Sequence, residues 1–201
     1  MSMVGALIRS KRKLRVSDSF NRGNSTTTMG TADTGQAWGY FVGTWGISSN
    51  RAYCVSDANA RGARISTGLL NAKVQCGMYG EINSLVTNRV PNLIFHYGDS
   101  NNFLYARVFN GNAELYKYDG GAASLLASAV QAMADGVEYT LTAAFMENNI
   151  NIAVDGVSLI DHVLAGGDTK YAAYASVGFW LEKTGSPTIA ARWDNLIVEA
   201  A

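Results

Sequence analysis

The chain has 201 residues, a formal net charge of zero and 48% hydrophobic against 16% charged residues, which supports one substantial core and excludes a disordered chain. No apolar run near the start approaches the ~18 residues that a membrane span needs. The two cysteines, Cys54 and Cys76, have no CxxC spacing, so a disulfide scaffold and a zinc module are excluded and both read as buried thiols.

The first fifteen residues differ from the rest. Arg9, Lys11, Arg12, Lys13 and Arg15 precede the first acidic residue, Asp18, so residues 1–15 carry +5 and the remainder carries −5. An apolar lead of Met3, Val4, Ala6, Leu7 and Ile8 comes before the basic run, the reverse of a secretory signal. This pattern reads as a basic arm, residues 1–15, appended to one domain, residues 16–201. Leu7, Ile8 and the five cations are the candidate docking residues, facing an acidic partner. Nucleic-acid phosphate is the weaker choice of partner and would show steep salt dependence.

From Val16 onward the sequence alternates in short β-rich segments separated by Gly, Asn, Asp and Ser. Asn92–Tyr97, Phe103–Phe109 and Ala113–Tyr118 read as strands, joined by Gly98–Asn102 and by Asn110-Gly111-Asn112, a hairpin signal. Ala122–Asp135 is rich in alanine and leucine and fits either a helix or a strand followed by a loop. In Glu138–Met146, Tyr139, Leu141, Ala143 and Phe145 share one face. Ile150, Ile152 and Val154 alternate next, and Asp155-Gly156 predicts a type I′ turn into Val157–Val163. These three strands form a meander. Val177, Phe179 and Leu181 share a dry face, which places Trp180 on the wetter one. No internal period is present.

Three segments carry a resemblance: Asp18-Ser19-Phe20-Asn21-Arg22, Met29 to Trp38 with Gly30-Thr31, Gly35 and Trp38, and Gly43-Thr44-Trp45-Gly46-Ile47. The chain from about residue 17 to its end resembles the laminin-G/concanavalin A-like jelly-roll domains found in bacteriophage tail and virion proteins. Leu93–Tyr97 with Asp99–Arg107 resembles the central strand pair of that family, and Arg192–Val198 its closing strand, which pairs near the first. The resemblance implies an all-β, antiparallel sandwich carrying an N-terminal extended arm. It also implies a minor tail or capsid-decorating component of a virion, assembled in the host cytoplasm, that contacts other virion proteins and self-associates.

The chemistry of an enzyme is missing from the sequence. Glycosidases of this superfamily carry an E-x-D-x-E strand, which does not occur here. His96 and His162 lie in separate strands without an HExxH motif or a Ser-His-Asp grouping, and no Walker loop, GxGxxG or GxSxG elbow occurs. No catalytic residue, cofactor or metal site is assigned, and Asp99–Asn102 lacks the ligand spacing of a calcium loop. The alternative to a structural virion role is a module that recognises bacterial surface glycans. Sugar sites combine aromatic platforms with amides and carboxylates, and the candidates are Trp38, Trp45, Tyr97, Asp99, Asn101, Asn102, Tyr105 and Trp180, with Tyr40 beside them.

Overall fold

The computed structural model describes residues 14–55, 60–83, 88–184 and 190–201. In chain order the strands are β1 (Leu14–Asp18), β2 (Gly39–Val42), β3 (Trp45–Ser48), β4 (Arg51–Cys54), β5 (Ala60–Ser66), β6 (Ala72–Tyr79), β7 (Asn88–Asp99), β8 (Asn102–Phe109), β9 (Asn112–Asp119), β10 (Ala122–Val130), β11 (Tyr139–Met146), β12 (Asn149–Val154), β13 (Val157–Val163), β14 (Ser176–Thr184) and β15 (Arg192–Ala200), with one 3-10 helix at Gly166–Ala173. They form two antiparallel sheets packed as a β-sandwich. One sheet runs β13-β12-β11-β6-β15-β4-β3, with β1 also pairing β15, and the other runs β10-β9-β8-β7-β14-β5-β2.

Local chemistry explains the hairpins. Asp155 and Gly156 have φ of 50° and 81°, and Asn110 and Gly111 have 47° and 78°, the positive pairs that a type I′ turn requires. The predicted meander is β11-β12-β13, and the closing strand β15 pairs the first strand, with Val16 opposite Val198. Ala122–Asp135 resolves into strand β10 up to Val130 followed by irregular chain. Its alanines and leucines pair with β9 across a bulge between Leu125 and Ala127.

Between the sheets, Phe95 stacks on Phe145 at 5.6 Å, and Trp193 meets both Phe179 (5.3 Å) and Trp45 (5.1 Å). Cys76 is buried there, its Sγ 3.1 Å from the Asp194 carbonyl. Cys54 departs from expectation, being only half-buried because it ends short strand β4 at the rim of the sandwich.

The opening segment of the domain is a polar lock. Asp18 is fully buried. Its Oδ1 accepts from the Phe20 amide (2.9 Å) and Arg22 Nη1 (2.8 Å), and its Oδ2 accepts from Arg22 Nη2 and Trp38 Nε1 (both 2.7 Å). The Asp-x-Phe-x-Arg spacing therefore holds the Met29–Trp38 loop to β1. Gly46 allows the same closeness one strand on, since a Cβ there would lie 2.1 Å from the Ser25 carbonyl oxygen.

The arm boundary shifts. Leu14 and Arg15 belong to β1, and the Arg15 carbonyl accepts from Gln36 Nε2 at 2.9 Å, so two residues assigned to the arm are part of the sheet. Leu7, Ile8, Arg9, Lys11, Arg12 and Lys13 lie outside the described residues.

Candidate functional site

The seven-stranded sheet has two faces, and strand parity distributes its rings between them. Leu104, Ala106 and Val108 of β8 turn inward to the core, which leaves Phe103, Tyr105 and Arg107 outside. On β9, Ala113 and Leu115 go in, while Glu114, Tyr116 and Tyr118 stand opposite Arg107, Tyr105 and Phe103. On β14, Phe179 goes in and Trp180 goes out. The left-handed backbone at His96 (φ 49°) interrupts the pairing of β7 with β8 and turns Tyr97 onto the same outer face.

These outer residues form a second hydrophobic cluster of Ile94, Tyr97, Phe103, Tyr105 and Trp180, with Phe41, Val42, Tyr116 and Tyr118 packed against it. Phe41 stacks on Trp180 (5.9 Å, 10°) and contacts Tyr97 (4.8 Å). It can do so because β5 has glycine beneath it: a Cβ on Gly62 would fall 1.9 Å from the Phe41 ring. Phe103 stacks on Tyr118 (4.8 Å) and Tyr105 on Tyr116 (5.1 Å, 7°).

Polar groups edge the rings. Arg107 lies between two carboxylates, donating through Nε to Glu114 (2.7 Å) and through Nη1 to Glu182, while its Nη2 donates to the Tyr116 hydroxyl at 3.3 Å. Burial alone would lower the Arg107 pKa, but Glu182 and Glu114 outweigh it and hold the guanidinium above its ordinary value. Burial pushes the Tyr105 and Tyr116 phenols up, and the Tyr97 phenol as well, where Arg64 opposes the shift. All three therefore keep their protons at neutral pH. Tyr105 donates to Glu182 (3.1 Å), whereas Tyr116 accepts from Arg107 and keeps its own proton for a further partner. Arg64 is exposed, with its guanidinium 5.5 Å from the centre of the Tyr97 ring.

The structure divides the predicted candidates. Tyr97, Tyr105 and Trp180 come together on this face. Trp180 is on the outer side as its parity required, but it is not an open platform: it is 5% exposed because Phe41, Phe103 and Tyr118 cover it. Trp38 and Trp45 are core residues, packed on Phe179 (4.9 Å) and Trp193 respectively, and the Tyr40 hydroxyl accepts from the Met29 amide (2.6 Å) and shares a 3.0 Å hydrogen bond with the Thr28 hydroxyl. Asp99, Asn101 and Asn102 build the β7–β8 turn. Asp99 Oδ1 accepts from the Asn101 backbone amide (2.7 Å) and the Asn102 side chain (2.9 Å), so Asp99 and Asn102 spend side-chain groups on the turn itself.

Phe41, Phe103, Arg107, Glu114, Tyr116, Tyr118 and Glu182 were not singled out from the sequence. For the five on β8 and β9 the signal was the period-2 parity of those strands, where alternate positions read Phe, Tyr, Arg and Glu, Tyr, Tyr.

Elsewhere, a cavity of about 300 Å³ opens on the eight-stranded sheet beside Lys73, Met146, Asn151, Asp161, His162 and Val163, and the Phe145 ring along it belongs to the core. Among the described residues no group of three His, Cys, Asp or Glu side chains could hold a metal ion. No helix among them is long and apolar enough to cross a membrane.

No family model and no curated protein matches the chain. Solved structures do match in fold. The carbohydrate-binding module CBM66 from Bacillus subtilis superposes with a TM-score of 0.62 at 18% identity, covering 81% of this chain and 95% of that one. The sandwich is similar in fold to carbohydrate-binding modules and lectin domains. The exoplasmic/lumenal domain of VIP36, in its Ca²⁺/Man-bound form, matches with a TM-score of 0.58 at 11% identity over 84% of this chain and 85% of that one. The CBM2 module of the evolved Dit of Lactobacillus casei BL23 phage J-1 matches with 0.58 at 14% identity, covering 94% of this chain and 96% of that one.

Proposed function

We propose that the protein is a non-catalytic carbohydrate-binding module and that the outer face of its seven-stranded sheet holds the glycan. The observation that carries this reading is the concentration of rings and fixed polar groups on one side of one sheet. Phe41, Tyr116 and Tyr118 are partly exposed and offer faces for the apolar side of a sugar ring. Arg64, Glu114, Glu182 and the Tyr116 hydroxyl supply donors and acceptors for sugar hydroxyls, and Arg107 holds the two carboxylates and that hydroxyl in place before any ligand arrives. Arg107 sits between Glu114 and Glu182, an arrangement that suits recognition rather than an acid and nucleophile facing a scissile bond. The fold neighbours named as carbohydrate-binding modules support the reading.

The test is retention of the full chain on gels containing bacterial surface polysaccharides, beside Phe41→Ala and Tyr118→Ala variants whose folding is checked by circular dichroism. At least tenfold weaker retention in both variants is expected. Unchanged retention in folded variants, or no retention of the parent chain on any polysaccharide, would overturn the proposal.

A second reading, a docked component of a bacteriophage particle, draws on the phage Dit module, which covers nearly the whole of both chains. The cations Arg9, Lys11, Arg12 and Lys13, with Leu7 and Ile8, would form the dock and other virion proteins the partner. Replacing those four cations by glutamate should release the chain from particles during co-sedimentation at low salt. Equal sedimentation of parent and variant would sink that role for the arm.

A further inference from the structure

An arginine drawn out of water is ordinarily paired with an acid, because its guanidinium stays charged and carries five N–H donors. Three arginines of this chain that are partly or wholly buried follow that rule. Arg22 pairs with Asp18, Arg51 with Glu138, and Arg107 with Glu114 and Glu182. Arg192, half-buried at the start of β15, departs from it. Its Nη1 donates to the Ala191 carbonyl at 3.2 Å, and it pairs with no carboxylate among the described residues. Asp194, two positions along the same face of β15, is taken by Arg51.

The Arg192 guanidinium is nevertheless held. Its central carbon lies 4.8 Å from the centre of the Tyr53 ring, within the range of a cation–π contact. Arg192 and Tyr53 line a cavity of about 360 Å³ at the rim of the sandwich, between β4 and β15 of one sheet and β7 and β14 of the other. Arg89 lines it as well, and Val55, Leu181 and Ala191 give it apolar walls. No residue of the glycan face takes part. Burial lowers the Arg192 pKa, and the charges of Arg89 and Arg51 lower it further against the opposing Tyr53. The guanidinium still carries its proton at neutral pH. The cavity therefore holds a positive charge that neighbouring groups crowd rather than neutralise.

We propose that this rim cavity binds a small organic acid, with Arg192 holding its carboxylate through two parallel N–H···O bonds while the apolar walls take its body. The planar fork of a guanidinium matches the two oxygens of a carboxylate, and the Tyr53 ring beneath it leaves less side-chain freedom to lose on binding. The volume suits a ring-sized ligand, at the small end of the roughly 300–1,000 Å³ of small-molecule pockets. Apolar walls favour a singly charged carboxylate over a phosphate dianion, whose desolvation costs more. The proposal does not rest on the glycan reading, since the two sites share no residue.

The test is a titration of the full chain with glucuronate, a ring-sized carboxylate, up to about 20 mM, followed by the NMR shifts of backbone amides. Saturable shifts at Tyr53, Ala191 and Arg192 are expected with glucuronate and none there with glucose, which has the same ring without the charge. Inorganic phosphate should bind more weakly. Arg192→Gln should weaken glucuronate binding by about tenfold or more, the scale of a lost charge-assisted hydrogen bond, and Arg192→Lys, which keeps the charge without the fork, should fall between. The same spectra report whether each variant is folded. Tyr53→Leu, which removes the platform and leaves the charge, should also weaken binding and carries the test if Arg192→Gln does not fold. Phe41→Ala should bind glucuronate like the parent, so the rim site and the glycan face fail separately. No saturable shift at these amides, equal shifts with glucose, tighter binding of phosphate, or parent-like binding by the folded variants at Arg192 or Tyr53 would overturn the proposal.

Discussion

Phe179 and Trp180 are neighbours on β14 and both are nearly out of solvent, at 0% and 5% exposure, yet they are buried by different means. Phe179 points between the sheets, where Trp45 and Trp193 of the opposite sheet and Trp38 of the loop before β2 close on it. Trp180 points away from the core and is covered by rings from its own sheet, Phe41, Phe103 and Tyr118. The first environment depends on the sandwich being closed. The second depends on one side chain from a short edge strand, Phe41, lying across a glycine. Rings on the inside therefore hold the fold together, whereas rings on the outside hold one another in place and remain within reach of a ligand.

The contrast can be broken most severely from the inside. Trp193→Ala removes a fully buried indole that touches both sheets and should cost about 3–5 kcal/mol, seen as a large fall in the denaturation midpoint. Asp18→Ala should come next, at about 3 kcal/mol, because it leaves the Arg22 guanidinium and the Trp38 indole N–H without their shared acceptor. An Asp18 variant as stable as the parent would show that the opening lock is dispensable.

On the outside, Gly62→Ala should displace Phe41 and uncover Trp180. Stability should fall by about 1–2 kcal/mol, the scale of overpacking, while tryptophan emission shifts to the red. An unchanged emission spectrum would mean that Phe41 does not shield the indole.

The smallest effect concerns His96, fully buried in β7 with its Nδ1 3.0 Å from the Tyr174 carbonyl, so Nδ1 carries the proton. Its Nε2 has no partner among the described residues. Burial lowers the His96 pKa below its ordinary 6.5, and the Tyr174 carbonyl only partly offsets this. The unfolded chain thus binds a proton at higher pH than the folded one. Stability is complete above about pH 6.5 and falls as the pH drops below it, by at most about 1.4 kcal/mol per pH unit for one group. Thermal unfolding between pH 7.5 and 5 should show a dependence that His96→Asn, a residue tolerant of the left-handed backbone there, makes shallower.

Much of this architecture was legible because strands and turns are local. Asp155-Gly156 and Asn110-Gly111 adopt the positive φ pairs that their types favour, and Tyr139, Leu141, Ala143 and Phe145 of Glu138–Met146 share the core face. Segment Ala122–Asp135 was ambiguous because its alanines and leucines favour helix while its place between strands suits a strand, and pairing with β9 overrode the helical preference over Ala122–Val130.

The candidate site was legible only in part, and for one reason. Parity reports which side of a strand a residue occupies, so Trp180 was placed on the outer face from Phe179 and Leu181 alone. Parity does not report what lies over that face. The sheet order β10-β9-β8-β7-β14-β5-β2 brings Tyr116, Tyr105 and Arg107 beside Glu182, which is far away in sequence, and brings Phe41 from β2 over Gly62 of β5. Trp38 and Trp45 share the residue type of a sugar platform and fall in the core because the Asp18 lock and the β3–β4 pairing carry them there. Residue type and spacing thus determined the strands, the turns and the two faces. Only the order in which long-range pairing set the strands side by side decided which aromatic rings became core and which became a surface.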